Sequence, residues 1–282
     1  MTKSCRRSFQ WRMPDFVSFL PLLIGAGLLG GFLSGLLGVG GGIVMTPLLF
    51  YVFGATGADR AVQMHLALAT SLAIILPTGL SSVRAHRRRG GVLVALVRGW
   101  APWLAIGAAS GAIAASLLGS NSLVLVFGTL AVLMGIKMIL PLEGRRLGTA
   151  VPQGPAGAGA PLLIGFLASL MGIGGATFSV PYLTVFGTPV HKAVGTAAAF
   201  GLVVAGVAAT GYLIGGLTRD AAVPWGTLGF ISVPAVALIA PASVIAAPFG
   251  ARVAHGLSQR RLSLIFGLFL LAAGGRLLAS VL

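Results

Sequence analysis

Acidic residues are the scarcest feature of this sequence. The 282-residue chain has four Asp and Glu against 19 Lys and Arg, which gives a net charge of +15. The four acids, Asp15, Asp59, Glu143 and Asp220, all fall at the ends of apolar segments or between them. A buried carboxylate relay for protons, a cation site made of acidic side chains and a paired-carboxylate hydrolase are therefore not expected.

Cysteine is nearly absent too, because Cys5 is the only one in the chain. A single cysteine excludes an internal disulfide framework and a thiolate cluster for metal. The motifs HExxH, GxSxG and CxxC and the P-loop are also missing. We therefore expect no enzyme activity, no cofactor and no metal site.

Apolar residues dominate the composition. They make up 57% of the chain, charged residues make up 8%, and the mean hydropathy is +1.01. These values are typical of a polytopic membrane protein and lie far outside the range of water-soluble domains. The cations lie beside apolar segments, where they meet lipid headgroups, so the expected partner is the lipid bilayer and not nucleic acid.

About eight apolar segments are long enough to cross a membrane. They are residues 16–37 continuing into 42–53, then 65–83, 99–119, 122–141, 160–187, 191–216, 223–251 and 262–281. The predicted fold is an all-α polytopic membrane protein. Its parts are a basic arm at 1–15, a first transmembrane repeat at 16–141, a linker rich in Gly, Pro and Ala at 142–159, and a second repeat at 160–282.

The basic residues predict an orientation in the inner membrane. With eight crossings, 14 Lys and Arg fall on the side of the N-terminus, and five fall on the other side. Those five are Arg60, Lys192, Arg252, Arg260 and Arg261. The positive-inside rule then predicts a multi-pass protein with both termini in the cytoplasm.

An internal repeat covers nearly the whole chain. Residues 31–49 read GFLSGLLGVGGGIVMTPLL and residues 165–183 read GFLASLMGIGGATFSVPYL. Downstream, His65 matches His191, the tripeptide ATS at 69–71 matches GTA at 195–197, and VFGTLAVLMGIK at 126–137 matches IFGLFLLAAGGR at 265–276. The sequence therefore predicts two homologous halves of four helices each. Four crossings per half favour parallel repeats, whereas inverted repeats follow if each broken segment counts as two crossings.

Each half begins with an apolar run interrupted by glycine. The run from Phe16 to Phe53 is 38 residues, and one straight helix of that length would measure roughly 57 Å, nearly twice the hydrocarbon core. We expect the break at Gly38–Gly42 in the first half and at Gly172–Gly175 in the second, because glycine allows backbone angles that a helix does not use.

The paired breaks predict a substrate site. Unpaired backbone groups are tolerated in a bilayer only beside protein or a wet cavity, and matched glycine interruptions point to a transporter's binding site. A helix that restarts after a break presents N–H groups and a positive dipole end, which suit a small anion. The alternative is that the glycines only let helices pack closely. The candidate residues are Gly38, Gly40, Gly41, Gly42, Thr46, Pro47, Thr70, Ser71, Gly172, Gly174, Gly175, Thr177, Ser179, Pro181 and Thr196.

Two matched histidines, His65 and His191, are candidates for proton coupling, because histidine titrates near neutral pH. The alternative is that both lie at the interface in contact with water or headgroups. The hydroxyls of Thr70, Ser71 and Thr196 also have an alternative, since Ser and Thr bond back to their own helix.

The paired glycine motifs, the ATS and GTA tripeptides and the two closing segments together resemble the sulfite exporter TauE/SafE family, also called the toluene sulfonate uptake permeases. The resemblance covers residues 31–278. It implies a secondary transporter of sulfite, sulfonates or related organosulfur anions, with site residues at Gly38, Gly40, Gly41 and Pro47 and at Gly172, Gly174, Gly175 and Pro181. The chain departs from the family pattern at Ala69, where glycine is commoner, and Ala176 stands where the first half has Gly42.

We therefore expect a carrier that binds its anion between the halves and exposes it alternately to the two sides. An anion channel or a lipid-handling protein of the same duplicated architecture is the alternative. A membrane enzyme is a more distant one.

Overall fold

The computed structural model describes residues 13–37, 42–140, 148, 151–152, 154–219, 223–255 and 259–281. This part of the chain is mainly helical. Its α-helices are α1 (Met13–Leu37), α2 (Gly42–Ala55), α3 (Arg60–Arg88), α4 (Val94–Leu117), α5 (Ser120–Ile139), α6 (Gly159–Leu170), α7 (Ala176–Val185), α8 (Val190–Leu217), α9 (Val233–His255) and α10 (Gln259–Ala279).

Five helices of the described part are long and apolar enough to cross a membrane: α3, α4, α5, α8 and the Val233–Gly250 part of α9. Shorter apolar helices are Leu20–Gly35 within α1, α2, α6 and Ser263–Ala279 within α10. The predicted crossings at 65–83, 99–119, 122–141 and 191–216 each correspond to one helix. The first segment of each half is instead divided into two helices.

The segment before α9 was expected to be helical, but it is not. The prediction of one span over 223–251 is wrong for its first ten residues, where strands β1 (Thr227–Leu228) and β2 (Ile231–Ser232) form a short antiparallel hairpin. Gly226 and Gly229 have positive φ angles of 76° and 57°. Those angles suit a turn, and only glycine adopts them without steric cost.

Helices α1 and α6 do not continue into α2 and α7 but fold back on them. α1 runs parallel to α9, since Gly27 lies against Ile239 and Gly31 against Ser243. α2 runs opposite to α3, because its start at Gly42 accepts a hydrogen bond from Ser71 and its later residue Phe50 accepts one from Gln63.

The second hairpin is built in the same way. α6 runs parallel to α4, since Gly107 lies against Leu162 and Gly111 against Phe166. α7 runs opposite to α8, because Gly175 lies near Val204, whereas Tyr182 and Phe200 both contact the Trp100 ring.

Matched helices of the repeat run antiparallel. In α5 and α10, Gly128 faces the backbone of Gly274, and Gly135 faces that of Gly267. In α3 and α8, Gly79 lies against Leu202, and Gly195 lies beside the turn after α3 at Gly91. These directions fit the inverted alternative, in which each broken segment counts as two crossings, and do not fit the parallel one.

These directions assign the helix ends to two ends of the bundle. At one end α3, α5 and α9 finish and α4, α8 and α10 begin. We call it the basic end, because it carries ten of the described Lys and Arg: Arg84, Arg87, Arg88, Arg89, Arg98, Lys137, Lys192, Arg252, Arg260 and Arg261.

The opposite end is where α1 and α3 begin and α10 finishes, and it has three described cations, Arg60, Arg219 and Arg276. The sequence count grouped Arg219 and Arg276 with the arginines at 84–89. The structure separates them, because that count assumed one crossing for each first segment.

Candidate functional site

The turn between α6 and α7 is buried and held by glycine. α6 ends at Leu170 and α7 begins at Ala176, as the second predicted break requires. Gly172 and Gly175 have φ angles of 63° and 75°, which side chains other than glycine rarely adopt. Every residue from Met171 to Thr177 is buried. The turn therefore lies inside the protein, where freed backbone groups find partners.

The start of α2 meets this turn. A Cβ atom at Gly42 would lie 2.8 Å from the Ile173 Cα and 3.0 Å from the Gly172 carbonyl oxygen. The candidates Gly38, Gly40 and Gly41 lie outside the described residues. The two hairpins thus approach from opposite ends of the bundle, and their described residues meet between α3 and α8.

Two hydroxyl groups join the hairpins at this meeting point. Thr46 Oγ1 donates to the carbonyl oxygens of Met171 and Gly172, at 3.2 and 3.3 Å. Ser71 Oγ donates to the Gly172 carbonyl at 2.9 Å and lies 3.4 Å from that of Gly42. Both side chains are fully buried. They satisfy carbonyl groups that the turn removes from helical hydrogen bonding.

Hydroxyl groups at the start of α7 differ from these. Thr177 and Ser179 are buried in its first turns. Within the described part of the chain, Ser179 Oγ has no hydrogen-bond partner, and neither does Ser169 Oγ at the end of α6. A buried hydroxyl without a partner costs free energy, and each of these two hydroxyls is able to donate a hydrogen bond to a ligand oxygen.

Pro47 and Pro181 occupy matched positions in α2 and α7. Proline has no N–H, so each removes the helical hydrogen bond to the carbonyl four residues earlier, at Ile43 and Thr177. Both prolines therefore loosen the first turns of the helices that restart at the meeting point. The structure brings them near the site without giving them a polar group of their own.

Thr70 and Thr196 have a different role from the predicted one. Thr70 Oγ1 accepts a hydrogen bond from the Ser232 N–H, and Thr196 Oγ1 accepts one from the Leu93 N–H, each at 3.0 Å. Ser232 and Leu93 immediately precede the matched helices α9 and α4. The two threonines therefore fix the starts of these helices, and the structure does not direct their hydroxyls to the meeting point.

His65 and His191 match in sequence but not in surroundings. His65 is fully buried, and its Nε2 lies 3.1 Å from the Ala115 carbonyl and 3.2 Å from that of Leu118, so this nitrogen donates. Its ring lies 5.0 Å from the ring of Phe230 in the β-hairpin. His65 Nδ1 has no partner among the described residues. His191 is exposed at the basic end, so the interfacial alternative fits His191 and fails for His65.

Sequence reasoning missed three aromatic residues. Tyr212 is buried and donates from its hydroxyl to the Ser169 carbonyl at 3.2 Å, which fixes the end of α6 against α8. Trp100 stacks on Phe200 with ring centroids 5.2 Å apart and donates from Nε1 to the Pro152 carbonyl. An aromatic residue in an apolar helix gives no signal of such contacts, because burial is its usual state.

No group of three or more His, Cys, Asp or Glu in the described residues is arranged to hold a metal ion. The described residues at the meeting point supply the hydroxyls of Thr46 and Ser71, the backbone of Met171 and Gly172, glycine, and the apolar side chain of Ile75.

Comparison with known proteins gives a family match over most of the chain. The family model described as Sulfite exporter TauE/SafE matches residues 23–277. A probable membrane transporter protein of Haemophilus influenzae is 30% identical over 254 residues, which covers 90% of this chain and 96% of that protein.

Two further relatives carry similar names. A probable membrane transporter protein of Methanocaldococcus jannaschii is 25% identical over 271 residues, or 91% of this chain and 97% of that protein. The probable membrane transporter protein YunE of Bacillus subtilis is 29% identical over 205 residues, or 64% of this chain and 72% of that protein. No solved structure matches the chain significantly.

The Thr70 hydrogen bond leads to a stability prediction. Replacing Thr70 by Val keeps the volume and leaves the buried Ser232 N–H without its acceptor, which costs about 1–3 kcal/mol. We expect Thr70→Val to lower the thermal unfolding midpoint of the detergent-purified protein. Thr70→Ser keeps the acceptor and serves as the matched control. Equal midpoints for the two variants would contradict the assignment.

Proposed function

Because the chain belongs to the sulfite exporter TauE/SafE family, we propose that it is a secondary transporter of sulfite, small sulfonates or related organosulfur anions across the cytoplasmic membrane. The observation that supports this proposal best is the meeting of two helical hairpins from opposite ends of the bundle. Broken helices at such a position form the substrate sites of many secondary transporters.

We place the substrate at this meeting point. The site comprises the predicted glycines at 38, 40, 41, 42, 172, 174 and 175, the first turns of α2 and α7 with their prolines, and the hydroxyls of Thr46, Ser71, Thr177 and Ser179. The restarting α7 contributes N–H groups and the positive end of its dipole. A small oxyanion takes hydrogen bonds from these donors, and Ser179 Oγ has no competing partner among the described residues. We assign Thr70 and Thr196 to positioning.

The packing of the helices supports two inverted halves, residues 16–141 and 160–282, joined by the linker at 142–159. The contacts of one half reappear in the other with the halves exchanged: α1 packs on α9 and α6 on α4, while α3 pairs with α8 and α5 with α10. The first hairpin is therefore attached through α1 to α9, and the second through α6 to α4, in each case in the opposite half. In alternating access, α1 would move with α9, and α6 with α4.

The glycines at these two contacts show why the attachment is close. Gly31 and its repeat partner Gly165 both face backbone of the opposite half, at Ser243 and at Leu104. A side chain at either position would overlap that backbone. The close-packing alternative thus holds for Gly31 and Gly165. Gly172 and Gly175 are glycine for a different reason, because the turn requires positive φ angles at both positions.

An anion channel or a lipid-handling protein of the same architecture is the alternative. A carrier must change conformation in each cycle, so its flux saturates at micromolar to millimolar substrate. A pore gives a flux that follows the applied potential without saturating. The bonds of Thr46 and Ser71 close the meeting point in this structure, which favours a carrier over an open pore.

The transport prediction concerns Gly174. Its substitution by Leu would place a side chain against Gly201 and Ile75, since a Cβ alone would lie 3.1 and 3.4 Å from their atoms. We expect saturable flux of sulfite or a small sulfonate into liposomes with the native protein. We expect at least a tenfold loss in Gly174→Leu.

Gly119→Leu is the control, because no atom lies within 4 Å of a Cβ at Gly119. Size-exclusion elution and thermal midpoint show whether each variant is folded. Native flux in folded Gly174→Leu would contradict the site, whereas absence of flux of all these anions with the native protein would contradict the substrate class.

We propose His65 as the group that couples transport to protons. This residue joins α3 to the end of α4 and to the β-hairpin, so protonation of its second ring nitrogen would disturb three elements at once. We expect an inward proton gradient to stimulate flux in the native protein and in His191→Gln, but not in His65→Gln. Equal stimulation in both variants would exclude His65 as the coupling group.

A further inference from the structure

The two ends of the helix bundle differ sharply in charge. The basic end carries ten described Lys and Arg, and the opposite end carries three. No acidic residue of the described part lies at the basic end, whereas Asp59 caps α3 at the opposite end. The difference arises from the fold, because both hairpins reverse the chain. The start of α8 then lies beside the end of α3, and the start of α10 lies beside the end of α5.

Most cations of the basic end are exposed, and lipid headgroups can contact them. Arg84, Arg87, Arg88 and Arg89 at the end of α3 are exposed, as are Arg98 at the start of α4 and Lys137 at the end of α5. They come from several elements that meet at the same level of the bundle. Such a ring of cations beside apolar helices fits a layer of anionic headgroups, where each Lys or Arg contributes about 1 kcal/mol.

We infer that the basic end is the surface that contacts the anionic phospholipids of the cytoplasmic leaflet, so that α1 begins and α10 finishes on the extracytoplasmic side. This orientation reverses the one predicted from the sequence. Cations in short connections and at the helix ends beside them are retained on the cytoplasmic side during insertion. The connection between α3 and α4 is short and contains Arg89, and Arg84, Arg87 and Arg88 lie in the last turns of α3 before it.

Single-cysteine labelling tests the orientation. In a Cys5→Ser background, Arg88→Cys places a thiol at the basic end and Arg219→Cys places one at the opposite end, both at exposed positions. A membrane-impermeant maleimide is applied to spheroplasts before and after permeabilisation. We expect the thiol at 219 to react in intact spheroplasts and the thiol at 88 only after permeabilisation.

The reverse pattern would overturn the proposal. Transport does not enter this readout, so the orientation and the proposed function succeed or fail separately.

A further variant tests the cause of the orientation. With Arg87, Arg88 and Arg89 replaced by Gln, we expect the labelling of the thiol at 219 in intact spheroplasts to fall by at least twofold relative to total protein. The variant Arg60→Gln, which removes a cation at the opposite end, is the control. Unchanged labelling in the triple variant would exclude these arginines as the headgroup contact.

Discussion

A chain that turns inside a membrane protein must find partners for the backbone groups that the turn releases, and the rest of this structure depends on that constraint. The turn between α6 and α7 exposes the carbonyl groups of Met171 and Gly172. Thr46 and Ser71, from α2 and α3, supply hydroxyl donors to them. Bonds that a helix would make within itself are thus made between distant segments, and the two hairpins are joined where they meet.

The same constraint relates structure to transport. A side-chain hydroxyl that donates to a backbone carbonyl can rotate and donate to a bound anion instead, so Thr46 and Ser71 can exchange acceptors. A backbone N–H within a helix can do so only if the helix unwinds. The carbonyl that loses the hydroxyl cannot bond to the anion, so this exchange releases the contact between the hairpins. The meeting point therefore combines close packing with exchangeable polar contacts, which a site that alternately binds and releases an anion requires.

Close packing between helices joins elements of the two halves. Gly31 against Ser243 and Gly165 against Leu104 allow backbone contact between helices of different halves, and such contacts stabilise helix pairs in lipid through dispersion. The glycines in the turn between α6 and α7 adopt backbone angles that other residues rarely adopt. The glycines in the helices let the backbones of two helices come into contact. A single residue type thus has two physical roles in one repeat, and the backbone angles distinguish them.

Much of this fold follows from the sequence. Most of the apolar helices and the break before Ala176 were predictable, because glycine clusters and segment length report directly on backbone geometry. The fold-back of α1 and α6 was not, since a broken span and a hairpin have the same apolar composition. Only tertiary contacts reveal the direction of α2 and α7, and the error in direction misassigned Arg219 and Arg276 to the wrong end.

The polar residues of the site show the same limit. Thr46 and Ser71 lie where the sequence placed them, near the broken segments. Thr70 adjoins Ser71 in the chain but points to the start of α9, because successive helical residues face different directions. The positions of Ser and Thr in the sequence therefore could not show which hydroxyl lies at the meeting point and which one fixes the start of a helix.

Removal of the two hydroxyls that join the hairpins tests the central claim most directly. Thr46→Val and Ser71→Ala each remove a donor to the Gly172 carbonyl. Thr78→Val is the matched control, because the Thr78 hydroxyl bonds only within its own helix. The account predicts that anion flux in liposomes falls at least tenfold in the first two variants and stays at the native level in the third. Native flux in folded Thr46→Val and Ser71→Ala would contradict a substrate site at the meeting point.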